Sequence, residues 1–208
     1  MKRWRDVLGW LPDGLKKLVP RQVRRWLLLN VFHANRRYAN LLRGPTRLYM
    51  EREIIPWARQ HCSNVLFVGT APYTYHYEKG FRQGQYTTID IHPSTAAWGA
   101  RDHVGAPIQE IDRHRPRGYF DCVIMNGVFG FGVDKVEDMR ATLRALHEVL
   151  RPGGLLVLGW NTDKHADPEA LGLLADGFEA ANQPPFPNRL PYALPETLVY
   201  DFYKRRPD

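Results

Sequence analysis

The chain has 208 residues, of which 44% are apolar and 25% charged, a composition typical of a globular protein and not of a disordered or fibrous one. The net charge of +7 is uneven, because residues 1–60 hold 14 Lys and Arg against four acids, whereas residues 61–208 hold 15 against 18. Most of the chain is therefore slightly acidic, which argues against a general nucleic-acid binder.

Two cysteines, Cys62 and Cys122, are too few for a disulfide framework or a cysteine-rich zinc site, and they favour a reducing compartment. We predict no bound metal. No apolar run reaches the roughly 18–20 residues that cross a bilayer, and the start of the sequence lacks the apolar segment of a secretory signal. These features predict a cytoplasmic protein.

Residues 1–60 have the pattern of helices, because apolar residues recur at spacings of three and four, as at Trp4, Val7 and Leu11. The last of these helices is predicted over about 46–61, with Pro56 bending it or ending it early. We predict two units: a basic helical extension or lid at residues 1–60, and a second unit at residues 61–208.

From residue 64 onwards, strand patterns alternate with helical ones. Short apolar runs predict strands at about 64–69, 86–91, 120–126, 155–160 and 197–204. An amphipathic stretch predicts a helix over 134–150, ended by Arg151-Pro-Gly-Gly154. This alternation predicts an α/β fold with a mostly parallel sheet. Such sheets bind ligands beyond the carboxyl ends of their strands.

The first strand ends at Gly69, a residue that lets the backbone turn tightly beside a ligand. A dinucleotide fold would place Gly-x-Gly-x-x-Gly here, but this segment has one glycine instead of three. Pyrophosphate binding and a nicotinamide oxidoreductase are therefore disfavoured. A plain turn with no ligand is the alternative interpretation of Gly69.

Asp90 lies 21 positions after Gly69, at the end of the second predicted strand. An acid about 20 residues beyond the first turn is where this fold class binds ribose hydroxyls, and a carboxylate suits a diol because it only accepts hydrogen bonds. The alternative is that Asp90 caps a helix or closes a turn. The spacing from Gly69 favours the ligand.

Four segments together resemble class I S-adenosylmethionine-dependent methyltransferases: Val65–Gly69, Thr88–Ile91, Phe120–Asn126 and Leu146–Val157. The resemblance covers about residues 46–206, and Leu150-Arg-Pro-Gly-Gly154 is its most specific part. It implies a Rossmann-like, mostly parallel sheet of seven strands with helices on both faces. The glycine loop is degenerate, since Phe67 stands at the family's acid position, and Ala71 and Tyr73 replace its second and third glycines.

The resemblance implies that S-adenosyl-L-methionine is the cofactor. Its binding residues would be Gly69, Thr70, Ala71, Tyr73, Asp90, Ile91, Pro107, Ile108, Asn126 and Gly127. Among them, Asp90 would hold the ribose, Ile91 would pack on the adenine, and Asn126 with Gly127 would lie between cofactor and acceptor. The alternative is a non-catalytic scaffold or binding protein of the same fold, whose altered loop no longer holds the cofactor.

The acceptor is predicted to be a small molecule, because Asn126-Gly-Val-Phe-Gly130 replaces the Asn/Asp-Pro-Pro-aromatic motif of many family members that methylate amines of bases or proteins. We expect a hydroxyl of a metabolite, glycan or lipid-linked substrate, which needs a base. His103 is our first choice for that base, ahead of His76, His92 and His165. Phe129 and Phe131 are equally compatible with an acceptor wall and with core packing.

The basic extension has three interpretations. In the first, the extension is a lid and homodimerisation arm. In the second, it contacts an anionic membrane or an acidic partner. In the third, it is a solvated basic face on helices that complete the core. The first two predict partners at residues 1–60. Nucleic acid is not expected as a partner.

Overall fold

A computed structural model describes residues 20–30, 44–181, 185–192 and 195–207. Helix α1 is Arg21–Asn30. Helix α2 runs through three consecutive segments, Pro45–Tyr49, a π-helical turn at Met50–Ile54, and Ile55–His61. Helix α3 is Val136–Val149. The helices predicted before residue 20 lie outside the described residues.

The strands are β1 (Val65–Val68), β2 (Tyr86–Ile89), β3 (Asp102–Val104), β4 (Phe120–Asn126), β5 (Leu150–Asn161), β6 (Phe178–Ala180), β7 (Arg189–Pro191) and β8 (Leu198–Arg205). They form one sheet in the order β3-β2-β1-β4-β5-β8-β6, with β7 also pairing with β8. Strands β1 to β5 are parallel, and β8 is antiparallel to β5. The mostly parallel sheet is confirmed, with eight strands described where seven were expected.

Each face of the sheet carries its own apolar core. On one face α3 packs through Met139, Leu143 and Leu146 against side chains of β4 and β5. On the other face α2 packs through Met50, Ile54 and Ala58, all fully buried. A buried aliphatic side chain contributes about 1.5–3 kcal/mol, so both helices are fixed firmly to the sheet. Helices cover both faces, as predicted.

Helix α2 continues past Pro56 to His61, whereas we expected Pro56 to bend it or end it early. Pro56 has no N–H to donate and crowds the carbonyl one turn before it, at Arg52. That carbonyl lies in the π-helical turn Met50–Ile54, where Ile55 N–H bonds back to Met50 O and the turn is wider. The wider turn accommodates the proline within a continuous helix.

The boundary predicted at residue 60 falls at the end of a helix that belongs to the body. Because α2 forms the core of one sheet face, residues 45–60 pack with the second unit and not apart from it. Within the predicted extension, α1 lies against the body through Arg25. The division into two units stays a prediction for the segments before residue 44.

Candidate active site at the carboxyl end of the sheet

The turn after β1 has the geometry that the lone glycine predicts. Gly69 has a φ of +83°, in the left-handed region that side chains disfavour, and its N–H donates to Ile89 O (2.9 Å). The backbone thus leaves β1 abruptly and joins the end of β2. This joint brings Thr70 next to Asp90.

Asp90 connects the first two strand ends through its carboxylate. Oδ2 accepts hydrogen bonds from Thr70 N–H (2.7 Å) and Thr70 Oγ1 (3.2 Å), and Oδ1 accepts from His92 N–H (2.8 Å). The bond to His92 closes a turn, which was the alternative role considered for Asp90. A carboxylate has about four lone-pair sites, so acceptor capacity remains for a ligand hydroxyl. The two roles are therefore compatible.

A cavity of about 520 Å³ opens at these strand ends. All ten predicted cofactor-binding residues line it: Gly69, Thr70, Ala71, Tyr73, Asp90, Ile91, Pro107, Ile108, Asn126 and Gly127. They come from the ends of β1, β2 and β4 and from the segment after β3, which parallel strands bring to one edge of the sheet. Their assignment to a cofactor remains a prediction.

Two large apolar side chains of the lining are open to solvent. Ile91 is 57% exposed and Phe131 is 58% exposed, although both are large apolar side chains. Phe129, two residues before Phe131, is fully buried in the core beside α3. The structure thus separates the two rings: Phe129 packs in the core, and Phe131 faces the cavity.

Sequence reasoning missed Arg47, which lines the same cavity from α2. Its guanidinium lies over the rings of Tyr73 (4.5 Å) and Tyr77 (4.8 Å), its Nε donates to Glu51 Oε1 (2.8 Å), and its Nη2 donates to Tyr73 O. The residue is almost fully buried. Arg47 is one of the 14 Lys and Arg in residues 1–60, and no sequence motif marks it as a cavity residue. Only the packing of α2 brings it to the cavity.

Glu51 also accepts from Tyr77 OH (3.3 Å) and lies 3.5 Å from His76 Nε2. Burial lowers the pKa of His76 below its ordinary value of 6.5, against the opposing effect of Glu51. Burial also raises the pKa of Tyr77. His76 is therefore neutral at pH 7, and it lies outside the cavity lining.

His103 does not line the cavity, contrary to what we expected of a general base. It pairs with Thr88 in the middle of the β2–β3 ladder, and its Nδ1 lies 2.9 Å from Thr88 Oγ1. Strand β3 runs on past His103 to Val104, so His103 is a ladder residue and does not face the strand-end cavity. Of the four histidines considered, His92 is the one in the lining.

Asn126, at the end of β4, presents a carboxamide next to Gly159 of β5. A Cβ on Gly159 would overlap Asn126 Oδ1, so glycine makes room for this side chain. Among the described residues, Oδ1 has no hydrogen-bond partner. Gly127 then takes a φ of +64° and donates its N–H to Gly159 O (3.0 Å), which turns the chain along the cavity.

Comparisons with known proteins agree with this geometry. Residues 68–156 match the family model of a methyltransferase domain. Among solved structures, the chain is similar to the N-methyltransferase NodS from Bradyrhizobium japonicum WM9 in complex with S-adenosyl-L-homocysteine, at 16% identity over 88% of this chain and 99% of that chain, with a TM-score of 0.62.

A TehB-like SAM-dependent methyltransferase from Corynebacterium glutamicum is 16% identical over 85% of this chain and 100% of that chain, with a TM-score of 0.57. The 1,6-didemethyltoxoflavin-N1-methyltransferase of Burkholderia thailandensis has a structure with bound 1,6-didemethyltoxoflavin and S-adenosylhomocysteine. It is 19% identical over 91% of this chain and 92% of that chain, with a TM-score of 0.51. No curated protein matches the sequence. At these identities, the structural likeness shows a shared fold.

Proposed function

We propose that the chain, as a class I S-adenosylmethionine-dependent methyltransferase, methylates a small-molecule acceptor, a hydroxyl of a metabolite, glycan or lipid-linked substrate. The observation that carries the proposal is the cavity at the strand ends, which the ten predicted residues line. Its volume of about 520 Å³ lies within the range of small-ligand sites.

The residues present fit the cofactor. Asp90 keeps acceptor capacity for ribose hydroxyls, and the exposed Ile91 offers an apolar surface to an adenine ring. Arg47 has five N–H donors, of which the bonds to Glu51 and Tyr73 use two, so it retains donors for a carboxylate such as that of the methionine part. The degenerate glycine loop is thus supplemented by a cation from α2.

S-adenosylmethionine supplies an electrophilic methyl group on a cationic sulfur. The protein contributes alignment of the acceptor and exclusion of water. Asn126 and Gly127 lie at the end of β4 beside Phe131, where an acceptor would contact both the carboxamide and the ring. The apolar Phe131 would keep water away from the reacting atoms.

A hydroxyl acceptor has to lose a proton, and His92 is the histidine that lines the cavity. We therefore place the base at His92 and not at His103, whose Nδ1 lies 2.9 Å from Thr88 Oγ1 within the sheet. The variant His92→Gln should lower kcat by about 100-fold, while S-adenosylhomocysteine affinity is retained. His103→Gln serves as the matched control, and an equal loss of kcat in the control would reject His92.

Calorimetry with S-adenosylhomocysteine tests whether the cavity binds the cofactor, on which every role proposed above depends. We expect one site with micromolar affinity. A folded protein that shows no binding at millimolar ligand would overturn the proposal and leave the non-catalytic scaffold. A methyl-donor assay with hydroxyl and amine acceptors of matched size then decides the acceptor atom.

A further inference from the structure

Helix α1 presents an apolar stripe to solvent. Val23 is 47% exposed and Trp26 is 58% exposed, and Leu27 is partly exposed. With Asn30, these residues have the spacing of one helical face. Burying such a face in an apolar medium is favourable, so its exposure calls for a partner.

The opposite side of α1 is docked on the body. Arg25 donates from Nε to Ala97 O (3.0 Å) and from Nη2 to Gly99 O (2.9 Å), and its guanidinium lies 5.3 Å from the centroid of the Tyr75 ring. The docking fixes how the helix is rotated. It therefore holds the stripe of Val23, Trp26 and Leu27 away from the body.

The sequence around α1 is strongly cationic. Between Asp13 and Glu51 the sequence carries no acid, and it has seven Lys and Arg besides Arg25, which is docked on the body, and Arg47, which is buried in the cavity lining. Each basic residue near an anionic bilayer adds about 1 kcal/mol of attraction, and Trp, like Tyr, is enriched at the headgroup level of membranes. A protein partner would supply a folded apolar groove, whereas a bilayer matches a short apolar stripe within a basic stretch of sequence.

The docking site lies next to the cavity. Arg25 contacts the end of the Pro93–Trp98 turn, and that turn directly follows Ile91 and His92 of the cavity lining. Within the described part of the chain, no helix is long and apolar enough to cross a membrane. α1, at ten residues, suits a position in the plane of the surface.

We propose that α1 is a membrane-docking helix: its stripe of Val23, Trp26 and Leu27 enters the headgroup region of an anionic bilayer, and the net positive charge of the flanking sequence strengthens the attraction. The helix attaches the body to the surface at the rim of the cavity. This inference is independent of the methyl transfer, since vesicle binding needs neither cofactor nor acceptor.

Cosedimentation of the full-length chain with vesicles tests the inference. We expect at least about tenfold tighter binding to phosphatidylcholine vesicles containing one-third phosphatidylglycerol than to pure phosphatidylcholine, with the difference lost in high salt. Trp26→Glu and Val23→Glu should each weaken binding about tenfold or more. Val136→Glu is the matched control, because it places the same charge on an exposed valine at the start of α3.

S-adenosylhomocysteine affinity should be unchanged in all three variants, which separates failure of this inference from failure of the proposed function. Equal binding to both kinds of vesicle would overturn it. So would vesicle binding that Trp26→Glu leaves intact. Binding to single-stranded RNA in place of vesicles, or a Trp26-dependent dimer that ignores vesicles, would equally assign the stripe to another partner.

Discussion

The cavity has two walls that are built differently. The tied wall consists of residues 69–74 and 89–92 with Arg47, and side-chain hydrogen bonds join its separate elements through Asp90 and Arg47. The open wall, residues 126–133, is held mainly by backbone bonds within its own loop, such as Phe131 N–H to Val128 O (3.1 Å).

The difference teaches how one cavity can serve two ligands. A wall cross-linked by charged groups keeps a fixed shape and suits a polar ligand that is always the same. A wall of glycine and apolar side chains, anchored in the core by Phe129 and Val133, can change its shape between acceptors without altering the cofactor wall. We assign the tied wall, except for the proposed base His92 at its end, to the cofactor, and we assign the open wall to the acceptor. Three predictions test that division, and a fourth concerns His76, which lies near Glu51 beside Arg47.

The largest effect is expected within the open wall. Phe129→Ala should lower the free energy of unfolding by about 3–5 kcal/mol, because it leaves a cavity in the core, whereas Phe131→Ala should change it by less than about 0.5 kcal/mol. Phe131→Ala should instead raise the KM of the acceptor several-fold. Urea unfolding and steady-state kinetics measure the two effects, and similar unfolding energies for both variants would contradict the distinction.

In the tied wall, Asp90→Ala should weaken S-adenosylhomocysteine binding by about 100-fold, because it removes the proposed acceptor for two hydroxyls. It should also cost about 1–3 kcal/mol of stability, since Thr70 N–H and His92 N–H lose their acceptor. Calorimetry and thermal melting measure both. Unchanged affinity in a folded variant would reject the ribose role of Asp90.

Arg47→Ala should weaken S-adenosylhomocysteine binding by about tenfold, because the cavity loses its cation on the α2 side. Arg47→Lys should recover part of the affinity, since the charge remains but the forked donors do not. Arg52→Ala, on the exposed side of the same helix, is the matched control. If the control weakens binding as much as Arg47→Ala, the effect comes from overall charge and not from the cavity.

The smallest effect concerns His76, which lies behind the tied wall. Because burial lowers its pKa in the folded state, the unfolded chain binds more protons below pH 6.5, and stability falls as the pH drops through that value. The loss should stay below about 0.5 kcal/mol, since the imidazole is more than one-third exposed and water screens it. His76→Gln should unfold with a smaller difference between pH 7.5 and 5.5 than the wild type, and an equal difference would contradict the assignment.

The sequence by itself determined the order of the elements and the main strand ends. Alternation of apolar runs predicted the parallel sheet because buried strands need continuous apolar residues, and the spacing from Gly69 to Asp90 placed the two residues on adjacent strand ends. These signals are local: each depends on a few neighbouring residues and on the fixed geometry of a parallel sheet.

Only the tertiary structure decided which side chains reach the cavity. Packing of α2 brings Arg47 to the lining from a segment that looked like part of an extension, and the β2–β3 register takes His103 away from it. Phe129 is buried in the core and Phe131 is exposed at the cavity, although both are phenylalanines of the same glycine-rich segment. Such outcomes depend on the pairing of distant segments, and neither composition nor periodicity encodes which distant segments meet.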